Sequence, residues 1–223
     1  MGGSSGTCFR LIAIGIAILA FDSIRLNAQE AVILTEPADW KLETMPVPPS
    51  FAPDIRLKGA EEIRFAPGMF SAGSSNYFTC LIAISADRAP KLDMGDVKRF
   101  VELYYRGLAT VGGNKVTAAQ RKEMVATVTE AKTPDQQARQ KFNASMVLFD
   151  PFHDGQKVTL NIEAVVVPRP ATKQTCLILM VSPSATDSEV WKNLRILGGQ
   201  AAVKAANNQG GGQSDTPGKA GGL

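Results

Sequence analysis

The chain's one histidine, His153, stands in Asp150-Pro151-Phe152-His153-Asp154-Gly155, with carboxylates before and after it. An imidazole beside carboxylates suits general-base work, and Asp150, His153 and Asp154 are all metal-ligating types. Zinc needs several N or S ligands, and no second His and no nearby Cys is available. A calcium loop needs more alternating oxygen ligands than this segment supplies. Pro, Asp and Gly are turn formers in their own right, so a solvated hairpin turn accounts for the segment more simply. A hydrolase using His153 with Asp150 or Asp154 ranks last, because no nucleophile can be named for it.

Cys80 and Cys176 both lie inside apolar runs, where a thiol's pKa rises and its reactivity falls. There is no C-x-x-C. The expectation is two separate, buried, reduced thiols, with a bridge second and catalysis a distant third. Tyr104 and Tyr105 could line a pocket, but Tyr104 fits an apolar helical stripe. Of the carboxylate pairs, Glu61-Glu62 opens a strand and Asp93/Asp96 opens a helix, so neither signals acid–base chemistry. No nucleophile elbow, P-loop or dinucleotide fingerprint is present. Asn143-Ala144-Ser145 matches a glycosylation sequon inside an expected strand. The reading is no catalytic residue, no metal and no cofactor.

These residues need a scaffold, and composition bounds it. The chain has 223 residues, 44% of them hydrophobic and 20% charged, with a net charge of +3, which excludes collagen-like and polytopic membrane classes. Leu11–Phe21 is an uncharged run of 11 residues, too short to span a bilayer and of the right length for a signal-peptide core. Residues 1–28 therefore read as a signal peptide cleaved after Ala28, and the protein as exported, periplasmic or extracellular. Cleavage removes Arg10, Asp22 and Arg25 and leaves 22 basic against 20 acidic residues, which argues against nucleic acid as a partner. No stable membrane span remains after cleavage.

Residues 29–60 carry Pro37, Pro46, Pro48, Pro49 and Pro53, with Trp40 and Phe51 between them. That spacing predicts an extended strap, docked by its two aromatics and with no helix of its own. Residues 198–223 include eight glycines in 26 residues and read as a disordered tail. The folded body is 61–197, a single domain.

Within it, 61–66 and 77–86 read as strands, and Met94–Thr110 as a helix capped by Asp93. The stretch 117–132 is ambiguous: Thr117 and Gln120 form a capping-box pattern, yet Val125–Thr129 favours extended chain, so a strand near 123–131 is chosen. Residues 141–150 and 157–167 alternate as a hairpin, 175–181 reads as a strand covered on both faces, and Thr186-x-x-Glu189 opens a last helix ending at Gly198-Gly199. The expected fold class is α+β: a mainly antiparallel sheet of about six strands, order ββαββββα, with two helices on one face. Thr79-Cys80-Leu81-Ile82 recurs as Thr175-Cys176-Leu177-Ile178, which raises an internal duplication.

Trp40 with Met45–Pro53 (MPVPPSFAP), Glu61–Phe70 (EEIRFAPGMF) and Val101–Leu108 (VELYYRGL) resemble secreted bacterial proteins of unknown function. The resemblance carries no residue role. The expected function is an exported, non-catalytic module that binds another protein, such as an envelope protein, or has a structural role in an envelope assembly. The alternative is a carrier of an apolar small molecule or lipid, in a pocket lined by Phe100, Tyr104 and Leu160.

Overall fold

The computed structural model describes residues 32–88, 91–131 and 139–208. In chain order the elements are β1 (Lys41–Val47), β2 (Gly59–Phe65), β3 (Cys80–Asp87), α1 (Met94–Val111), α2 (Ala118–Glu123), β4 (Ala126–Glu130), β5 (Gln140–Phe149), β6 (Lys157–Arg169), β7 (Gln174–Ser182) and α3 (Glu189–Asn207). The strands form one seven-stranded sheet in the order β1-β2-β3-β7-β6-β5-β4, and every pairing is antiparallel. The fold is α+β. The proposed signal peptide and most of the Gly-rich tail lie outside the described residues.

Local chemistry explains most elements. Asp93 accepts from the Asp96 N–H while Asp96 accepts from the Asp93 N–H, a reciprocal cap that starts α1. Thr117 and Gln120 cap α2 in the same way, so the ambiguous stretch holds both a helical turn and, after it, a strand. The β5–β6 hairpin turns through Gly155, whose φ of +71° is the left-handed region that favours glycine. The last helix starts at Glu189 with Ser188 as its N-cap, two residues later than the capping-box pattern places it.

Two elements depart further from expectation. The strap contributes β1, a strand that includes Pro46; an edge strand can spare an N–H, which a central strand cannot. The final helix does not stop at Gly198-Gly199 but continues to Asn207. Gly198 is buried against Met180 of β7, where a Cβ would overlap the Met side chain. This glycine permits close approach of helix and sheet rather than ending the helix.

The helices are not on one face. Cys80, Ile82 and Ile84 of β3, with Leu177, Leu179 and Val181 of β7, pack beneath α1 through Val97, Phe100, Val101 and Tyr104. The alternate residues Leu81, Ala83, Cys176, Ile178 and Met180 pack on the opposite side, beneath Trp191, Leu194 and Leu197 of α3. Two central strands apolar on both faces require cover on both, and one helix goes to each. The cysteines follow the same division: the register sets Cys80 against Val181 and Cys176 against Ser85, and no disulfide joins them. The repeated Thr-Cys-Leu-Ile therefore marks no equivalent positions in space.

The strap wraps the β1 edge. On the α3 side, the N–H groups of Ile33 and Leu34 donate to the Glu62 carboxylate at 2.9 and 2.7 Å. Arg64, two residues on and on the same face, donates to the carbonyls of Leu34 (2.8 Å), Trp40 (2.6 Å) and Thr35 (3.1 Å). Trp40 is buried there, whereas Phe51 crosses to the α1 side and meets Tyr104 edge-on at 5.2 Å. Both aromatics dock, as the sequence predicts.

Candidate functional site

The histidine segment is the β5–β6 turn. Asp150 is buried, and its Oδ1 accepts from the N–H groups of Phe152 (2.8 Å) and His153 (3.1 Å). Its Oδ2 accepts from the Tyr77 hydroxyl, and Asp154 Oδ1 accepts from the Gln156 N–H at 2.9 Å. Burial, and then Asp150, push the Tyr77 hydroxyl above its ordinary value. Ligand atoms of Asp150, His153 and Asp154 lie within 4.8 Å of one another, close enough for a cation. The Asp150 oxygens are already spent on the turn and on Tyr77, which is the work of an Asx turn.

Phe100, Tyr104 and Leu160 are buried in the α1-side core, and Phe100 stacks on Tyr104 at 5.6 Å. Phe100 borders a cleft with Ile55 and Leu57, whereas Tyr104 and Leu160 are closed to solvent. The Tyr104 hydroxyl has a polar partner that sequence reasoning missed. It donates to Glu61 Oε1 at 2.7 Å, and Glu61 is completely buried with its Oε2 unpartnered. Burial pushes the Glu61 carboxyl up to about 7, against the pull of the Tyr104 hydrogen bond. Burial likewise raises Tyr104, Tyr105 and Cys80, and the Glu61 charge adds to each. The signal was in the alternation: Glu61 shares a strand face with the buried Ile63, so the register puts a carboxylate in the core.

The third place is a groove on the α3 side. There the strap segment docks on β2, and α3 packs on β7 and β6, so no other described element covers β4, β5 and the outer part of β6. Thr127, Thr129, Asn143, Ser145 and Thr159 are exposed on this bare surface. Cross-strand pairs align Thr127 with Ser145 and Thr129 with Asn143. A cavity of about 750 Å³ runs between this surface and α3, with Val165, Met180 and Ala202 on its inner wall. Arg195 of α3 grips Glu163 of β6 with contacts of 2.6 to 3.1 Å, and its guanidinium lies 5.5 Å from the Trp191 ring centre. Ile196 and Val203 are exposed on the same helix, 61% and 43% accessible. Residues seven apart share a helix face, here the outward one, so neither side chain lines the groove.

Among the described residues, no helix is long and apolar enough to cross a membrane. Comparison with known proteins finds no matching family model, no matching curated sequence and no matching solved structure.

Proposed function

We propose that the chain is an exported, non-catalytic α+β module that binds another envelope protein through the bare half of its α3-side sheet face. The observation that carries this reading is the groove: an exposed polar sheet surface lies beside a cavity of about 750 Å³ whose inner wall is the apolar Val165, Met180 and Ala202. Interfaces commonly join an apolar centre to a polar rim, and this surface has both parts. Site-specific photo-crosslinkers at Thr127 and Ser145, a cross-strand pair on the bare surface, should capture the same protein from envelope extracts. The double variant T129R/N143R, at two exposed groove-lining positions, should lose that adduct. A variant on the opposite side, M94D, should keep it. Identical adducts from all three proteins would remove the proposal.

A second reading is a carrier of an apolar small molecule, favoured by the Val165, Met180 and Ala202 wall of the same groove. It moves the ligand away from Phe100, Tyr104 and Leu160. Native mass spectrometry of freshly purified protein separates the two readings: a co-purifying apolar molecule supports the carrier, and an empty chain supports the docking module.

A further inference from the structure

On the α1 side, three cations line one cavity of about 420 Å³ between the loop Phe51–Asp54, α1 and α2. Arg106 of α1 donates from Nε to the carbonyl of Met124 at 2.9 Å. Arg121 of α2 donates from Nη1 to the carbonyl of Val116 at 2.6 Å. A guanidinium has five N–H donors, so each anchor fixes the side chain and leaves most of its fork available.

Lys122 lines the same cavity, is exposed, and makes no ion pair with a described residue. Asp54 is the one acidic residue among the lining, against Arg106, Arg121 and Lys122. Glu102 lies 3.7 Å from Arg106 but also pairs with Lys98 and accepts from the Ala126 N–H. Burial alone would raise the Glu102 carboxyl, yet these partners outweigh it and hold it below its ordinary value. Its charge is therefore shared, and the cavity keeps a positive excess.

We propose that this cavity binds a phosphoryl oxyanion, with Arg106, Arg121 and Lys122 as its cationic contacts. Phe51 and Leu103 then flank the carbon portion of the molecule that bears it. A phosphate monoester carries about −1.5 to −2 charges at neutral pH, which matches the excess of the lining; one carboxylate would leave part of it unbalanced. Planar guanidinium forks suit paired phosphoryl oxygens, and anchoring them beforehand lowers the ordering cost of binding.

The test uses the protein with two monoester probes: glycerol 3-phosphate in solution, and phosphatidic acid in phosphatidylcholine vesicles. Binding in at least one arm should weaken roughly tenfold or more in R121A/K122A, as expected when charge-assisted hydrogen bonds are lost. A response to the soluble probe alone assigns a free phosphorylated metabolite, and a response to vesicles alone assigns a lipid headgroup. Circular dichroism melting controls for folding; should the double variant melt early, the exposed-site variant K122E must show the same weakening. Equal binding by wild type and variants in both arms, or no binding in either, overturns the proposal.

Discussion

At the residue scale, Glu61 makes stability depend on pH in an unusual direction. Its carboxyl ionises at about 7 in the folded protein against 4.5 ordinarily, because burial penalises the charge. Between those values the folded chain holds a proton that the unfolded chain has released. The contribution of Glu61 is thus fully present below pH 4.5, falls as pH rises, and is gone above about 7. The span corresponds to about 3 kcal/mol. Glu61→Gln keeps an acceptor for Tyr104 and removes the charge, so urea midpoints should show a flatter profile and a more stable variant at pH 8. Parallel profiles for the two proteins would refute this. Arg64 gives a second residue-scale prediction. Its guanidinium satisfies three strap carbonyls at once, so Arg64→Met should cost about 2–4 kcal/mol. The same variant should expose residues 32–40 to limited proteolysis; an unaltered cleavage pattern would sink the assignment of Arg64 as the clip.

At the scale of elements, two helical glycines should respond oppositely to alanine. Alanine gains about 1 kcal/mol over glycine inside a helix. At Gly199 in α3 a Cβ meets nothing within 4 Å, so Gly199→Ala should raise the melting temperature by a few degrees. At Gly107 in α1 a Cβ would overlap the Phe51 carbonyl, so Gly107→Ala should destabilise by about 1–2 kcal/mol net. Differential scanning calorimetry reads both, and a shared sign would contradict this packing. The same elements show what could be read beforehand. The alternation in 141–150 and 157–167 and the caps at Asp93 and Thr117 are local signals, and the structure keeps each of them. β1 was hidden because Pro46 removes an N–H, and only a strand's place in the sheet decides whether that N–H is needed. Gly198-Gly199 read as a stop because a close approach to Met180 cannot be seen from one segment. The bare half-face was hidden for a similar reason. The polar side of β5 is plain from Lys141, Asn143 and Ser145, but whether a helix covers it depends on strand order.

For the whole molecule, the sheet keeps its two internal thiols apart. Cys80 faces the α1 side and Cys176 the α3 side, so both should stay unreactive in the native protein and titrate as free thiols in denaturant without reductant, with Cys8 as a third wherever residues 1–28 are retained. Finding none after oxidative secretion would refute this. The sheet order has a consequence in time as well. β1-β2-β3 and β4-β5-β6-β7 are two meanders, each closed by hairpins between successive strands, and they meet at a single seam, β3 against β7. The strand that seals the seam is the last of the seven to be synthesised. Until Ser182 has emerged, β3 and β6 each show a bare apolar edge, and such edges recruit other chains. Closure of the sheet therefore waits for its seventh strand. On the proposed export route the chain would stay threadable for as long as it must pass a membrane unfolded.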